Sequence, residues 1–185
     1  MTGRLIGVVG PSGVGKDTVM AEIARRCSGV VVARRVITRA EDAGGEDFFE
    51  ATDREFAEMA EAGAFALWWT AHGLSYGIPV EVNANLAEGR DVLVNLSRHI
   101  LALAVEKFER FEVLSLTAPR EVLATRLAKR GRETETQILS RLERVAPAMP
   151  EGISCAEFSN DRAIDAVVTE IMDHYFSDSG MRCSA

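Results

Sequence analysis

Leu5-Ile6-Gly7-Val8-Val9-Gly10-Pro11-Ser12-Gly13-Val14-Gly15-Lys16-Asp17-Thr18 is the stretch from which the rest of this chain is read. A short apolar strand runs into a glycine-rich turn and then into the first turn of a helix. Gly10, four residues, Gly15 and Lys16 follow the phosphate-binding pattern G-x-x-x-x-G-K-[ST] up to its last position. Glycine lets the backbone curl so that successive N–H groups face one concavity, where a side chain would block the phosphates. The helix that follows adds free N–H groups and the positive end of its dipole. Lys16 then reaches the β- and γ-phosphates of a nucleotide. Gly10, Pro11, Ser12, Gly13, Val14, Gly15, Lys16, Asp17 and Thr18 are therefore the candidate nucleotide-binding residues. The pattern departs at Asp17, where a magnesium-ligating hydroxyl is usual, with Thr18 one step later. Two readings stand: Asp17 holds magnesium, directly or through water, or it only complements the helix N-terminus.

Outside the loop, composition narrows the class. The 185 residues suffice for one domain with a real core, and 47% of them are apolar. A net charge of −7 argues against general nucleic-acid or anionic-membrane binding and for positive charge focused on a small anionic ligand. Cys27, Cys155 and Cys183 have no metal or redox spacing, so reduced thiols are expected. No signal-peptide pattern or membrane-length apolar run is visible, so a cytoplasmic protein is expected.

Along the chain, 17–27 reads as a helix with Val19, Met20, Ile23 and Ala24 on one face, and 30–33 as a buried β-branched strand. Strand, loop, helix, strand makes the fold class α/β. Arg34, Arg35 and Arg39 follow the strand end, where open α/β sheets bind ligands. Arg39 is the candidate to grip a substrate phosphate. The alternative is that these arginines pair with the acidic loop after them. Thr52 and Glu55 mark a helix start. Residues 65–70 read as a strand, and 72–79 as a turn-rich stretch exposing Tyr76, which either donates to a phosphate or packs half-buried. The end of a strand over 91–96 reads Asn95-Leu96-Ser97-Arg98, with no carboxylate where related loops often place one that helps hold magnesium. Helices over 120–130 and 135–145, joined by an arginine-rich turn, read as a lid. A last strand over 154–159 and a helix over 164–176 close the chain.

GPSGVGKDT at the loop, ITR at 37–39, GAF followed by HGLSYG, DVLV, RLAKRGRE and FSNDRA together resemble the guanylate-kinase-like branch of the nucleoside monophosphate kinases. The resemblance covers nearly the whole chain. It implies a P-loop NTPase fold, a parallel sheet flanked by helices, in a single kinase domain over 1–185. An acceptor-binding insertion over about 35–90 and a helical lid over about 120–146 belong to that architecture. The implied cofactors are ATP and Mg2+, held near Asp17 and Thr18. By the same resemblance Lys16, Arg130 and Arg141 are catalytic, Arg39 and Tyr76 hold the acceptor phosphate, and Asn160 lies on the adenine side.

Three departures bear on the acceptor. Leu67 stands where a guanylate kinase has a guanine-reading glutamate, Asp42 replaces a second acceptor-side arginine, and Ile78 replaces a hydroxyl residue. Buried polar partners left unmatched cut recognition steeply, so GMP is disfavoured. The aspartate after the lysine, HGLSYG, VLVN-x-SR and RGRE resemble a narrower family, the ribose 1,5-bisphosphate phosphokinases of the PhnN type in bacterial phosphonate breakdown. That resemblance implies γ-phosphoryl transfer from ATP to ribose 1,5-bisphosphate, giving 5-phosphoribosyl 1-diphosphate. A guanylate or other nucleoside monophosphate kinase is the alternative. An inactive guanylate-kinase-like interaction module is the reading from another class, opposed by the presence of Lys16, Arg130 and Arg141.

Overall fold

Alternation along the first strand sets up two apolar layers. The computed structural model describes residues 3–40, 47–129, 139, 142 and 148–177. In β1 (Leu5–Val9), Ile6 and Val8 face one layer while Leu5 and Val9 face the other, all fully buried. A strand buried on both faces needs neighbours on both sides and helices above and below. It finds them in a five-stranded parallel sheet whose other members are β2 (Val30–Val32), β7 (Asp91–Asn95), β8 (Phe111–Thr117) and β9 (Cys155–Ser159). The order is β2-β7-β1-β8-β9. Leu5 lies opposite Val92 and Phe111, which fixes the register around the central strand.

One layer is closed by α1 (Lys16–Arg26) and the last helix, α6 (Ile164–Phe176). Val19, Met20 and Ile23 of α1 pack with Val167, Val168 and Ile171 of α6 over Ile6, Val8 and Leu114. Arg26, and not Ala24, completes the buried stripe of α1; its guanidinium pairs with Glu22 at 2.7 Å and with Asp165. The other layer is covered by α4 (Leu101–Lys107), entered through a 3-10 turn at Arg98–Ile100.

A second sheet of four strands also covers that layer, in the order β4-β3-β6-β5. It comprises β3 (Arg35–Ile37), β4 (Phe48–Glu50), β5 (Phe65–Ala71) and β6 (Leu74–Pro79). Of these four, the sequence pattern predicts only β5 as a strand. The stretch expected to be turn-rich is strand β6, antiparallel to both β5 and β3. Only its first residues turn: His72 and Gly73, at φ 54° and 75°, make the two-residue connection favoured in tight hairpins. One face of this sheet packs on α2 (Asp53–Glu61) through Val36, Phe56 and Phe65. Leu67, Trp69 and Ile78 belong to the core layer shared with the main sheet. The short α3 (Val82–Ala87) leads back to β7. An apolar cleft of about 650 Å³ lies between the two sheets, lined by Val31, Val36, Phe49, Met59 and Val82; no residue of 10–18 lines it.

After β8, α5 (Arg120–Lys129) begins the segment read as a lid. Arg130, Arg141, Asp42 and most of the expected second lid helix lie outside the described residues. Cys155 is a free, exposed thiol, Cys27 is fully buried, and Cys183 lies outside the described residues. Among the described residues, no helix is long and apolar enough to cross a membrane.

Candidate active site

The C-terminal ends of β1, β7, β8 and β9 lie along one edge of the parallel sheet, the edge at which open α/β folds bind ligands. β1 delivers the glycine loop there. Gly10 has φ 152°, and a Cβ on it would lie 2.4 Å from the Leu116 carbonyl oxygen. Gly15 caps α1 in the left-handed region at φ 95°, where a Cβ would lie 2.8 Å from Asn160 Nδ2. These two positions admit only glycine without rearrangement. The Lys16 ammonium donates to the Gly10 carbonyl at 2.9 Å and to that of Pro11 at 3.4 Å, so the charge sits in the mouth of the loop.

Asn160, immediately after β9, is buried and holds the loop from the far side. Its side-chain amide donates to the Val14 carbonyl at 2.7 Å, and its backbone N–H donates to Thr117 at 2.7 Å. Arg126 of α5 donates to the same Val14 carbonyl at 3.2 Å. Gly13, Gly15, Thr18, Arg126, Lys129, Asn160, Arg162 and Ile164 line a pocket of about 330 Å³. The fold thus joins Thr18 and Asn160, both anticipated from sequence, with Lys129 and Arg162, which were not singled out. Arg162 lies within the FSNDRA stretch, which was the available signal.

Asp17 turns the other way. The Asn95 amide, at the end of β7, donates to Asp17 Oδ1 at 3.3 Å. Asp17 and Thr18, joined in sequence as metal candidates, therefore face different neighbours. An anionic oxygen donor beside a polar amide suits a hard cation that takes its remaining ligands from phosphate and water. Among the described residues, no group of three or more His, Cys, Asp or Glu converges on a metal-sized site.

The second sheet contributes a row of arginines stacked on aromatic rings. Arg34 lies 3.9 Å above Phe49 and pairs with Asp47 at 2.7 Å, so for Arg34 the acidic-loop alternative holds. The buried Arg35 lies 5.0 Å from the Tyr76 ring and 5.7 Å from that of Trp69. Arg39 lies 4.6 Å over Phe48. Tyr76 is half-buried and stacked on Trp69, with centroids 5.4 Å apart. Leu67 and Ile78, read from sequence as acceptor-side substitutions, are 1% and 0% exposed in the layer between the sheets. A glutamate at 67 would place a carboxylate in that layer, at a desolvation cost that only a polar partner there would offset.

A strand feeding a glycine loop, a helix-borne lysine and a ligand edge at the switch of a parallel sheet define a P-loop nucleotide-binding protein. The family model described as an AAA domain matches residues 6–146. The chain belongs, more narrowly, to the ribose 1,5-bisphosphate phosphokinase family. The protein named ribose 1,5-bisphosphate phosphokinase PhnN of Ruegeria sp. (strain TM1040) is 48% identical over 169 residues, covering 91% of this chain and 89% of that one. Its namesake from Rhizobium etli (strain CIAT 652) is 46% identical, covering 88% and 84%. Among solved structures, a guanylate kinase from Anaplasma phagocytophilum superposes with a TM-score of 0.64 at 16% identity, over 97% of this chain and 90% of that one. At that identity the likeness concerns the fold alone.

Proposed function

We propose that this chain is a kinase that transfers the γ-phosphoryl of ATP to the 1-phosphate of ribose 1,5-bisphosphate, producing 5-phosphoribosyl 1-diphosphate for phosphonate metabolism. The observation that carries it is the 48% identity, over nine-tenths of the chain, to a protein of that name. An acceptor phosphate oxygen, ionised at neutral pH, attacks the γ-phosphorus in line. The bond from that phosphorus to the β–γ bridging oxygen breaks, and ADP leaves. No general base is needed, so catalysis rests on positioning and charge stabilisation.

In this reading the backbone N–H groups of the glycine loop, to which Pro11 contributes none, and Lys16 hold the ATP phosphates. Thr18 and Asn160 serve the nucleotide side. Asp17 would hold magnesium, with Thr18 the second candidate; the ion, when bound, neutralises charge on the β- and γ-phosphates. Arg39 and Tyr76 fix the acceptor, while Arg130 and Arg141 meet the transferred group. The acceptor is a small phosphorylated sugar, met in the cytoplasm.

The test is ADP release with ATP and magnesium, comparing ribose 1,5-bisphosphate, GMP and AMP. Turnover with the sugar bisphosphate alone is expected, with 5-phosphoribosyl 1-diphosphate as product. Lys16→Ala should lower kcat by at least about a hundredfold, the scale of losing one preorganised charge contact. Turnover with GMP would instead make the chain a guanylate kinase.

A further inference from the structure

Asn95 closes β7, and its Cα lies in register with Val8, two residues before the glycine loop. It stands 78 residues from Asp17 in sequence, yet its Nδ2 donates to Asp17 Oδ1 at 3.3 Å. In many loops of this class the strand end carries the carboxylate and the residue after the lysine carries a hydroxyl. Here the two roles are exchanged: the helix carries the carboxylate and the strand end an amide. We infer that Asn95 is the positioning residue for Asp17, and that this pair replaces the usual strand-end carboxylate in holding the nucleotide-bound divalent cation.

The physical reason is charge. An amide donor anchors one oxygen of Asp17 and leaves the other available. A carboxylate at 95 would instead set two anions against each other beside a polyphosphate, and like charges at that range repel. One carboxylate in total is retained, but it has moved from strand to helix. Groups that orient a metal ligand are commonly worth about 10- to 100-fold in metal affinity.

This inference rests on the reading of Asp17 as the metal residue, and the experiment separates the two. The full chain is titrated with Mn2+ in the presence of ADP, free Mn2+ being followed by electron paramagnetic resonance. ADP binding without metal is measured in parallel. Asn95→Ala should weaken Mn2+ binding about tenfold while metal-free ADP binding stays unchanged. Asp17→Ser and Asn95→Asp should each weaken Mn2+ binding, and the double variant D17S/N95D should recover most of the loss. Unchanged Mn2+ affinity in Asn95→Ala, or a double variant no better than Asp17→Ser, would overturn the inference. Equal loss of metal-free ADP binding in Asn95→Ala would do the same, marking Asn95 as a loop brace. Should Asp17→Ser itself leave Mn2+ affinity unchanged, the metal reading of Asp17 falls, and the role of Asn95 falls with it.

Discussion

Asn160 shows how much one buried amide can organise. It receives no charge and sits after the last strand, yet it holds the Val14 carbonyl at 2.7 Å and blocks any side chain at Gly15. Removing such a partner leaves a buried carbonyl less well satisfied, at a cost of about 1–3 kcal/mol. Asn160→Ala should therefore raise KM for ATP about tenfold, since 1.4 kcal/mol is a factor of ten. Initial rates at varied ATP measure it; an unchanged KM would mean that Arg126, which shares the carbonyl at 3.2 Å, suffices. The family resemblance put Asn160 near the nucleotide. Its grip on the loop was not legible, because the contact spans 146 residues. The same holds for Asp17: its carboxylate stands out in the sequence, whereas Asn95 stands out there only as the absence of a strand-end carboxylate.

Among the elements, α2 is the one that local sequence fully specifies. Thr52 Oγ1 accepts from the Glu55 N–H at 3.2 Å, and the Glu55 carboxylate accepts from the Thr52 N–H at 2.8 Å, a reciprocal cap. Thr52→Ala should cost about 1 kcal/mol, read as a lowered Tm. The Thr52 backbone N–H, and secondarily its hydroxyl, hold the Glu55 carboxyl below its ordinary value of 4.5. A group lowered in the folded state contributes stability above that ordinary value and loses it as pH falls through the folded value. The Tm gap between the native chain and Glu55→Ala should accordingly be present at neutral pH and close as the pH drops below 4.5. A gap that persists in acid would show that the cap acts without the charge. The strands of the second sheet were the opposite case. β3 and β4 have three residues each, too few for any period to declare itself, and the glycines and proline of β6 argue for turns until β5 and β3 pair with it.

Across the whole molecule, the end of the sheet away from the loop is stapled by charge. Arg4 donates to Asp91, at the start of β7, through Nη2 at 2.5 Å and Nε at 3.0 Å. The same guanidinium reaches Glu112 of β8 at 3.3 Å and the Tyr175 carbonyl of α6 at 2.7 Å. Asp91 side-chain exposure is 3% and that of Arg4 is 13%, so removing the acid takes the shortest charged partner from a poorly hydrated cation and leaves it only the longer Glu112 contact and the Tyr175 carbonyl. Asp91→Ala should lower stability by about 3 kcal/mol, or Tm by roughly 10 °C. At temperatures where it stays folded, KM for ATP should hold, because β7 carries Asp91 and the loop-side Asn95 at opposite ends. Thermal melts and low-temperature kinetics test both halves.

The sequence by itself determined the phosphate loop, the parallel α/β core and the family, since these depend on residues close together in the chain or on a resemblance carried by short motifs. The tertiary structure alone decided that Leu67 and Ile78 are core residues joining two sheets, that Asn160 braces the loop, and that Asp17 meets Asn95. Each of those contacts is made by residues far apart in sequence, and only the folded sheet brings them within reach.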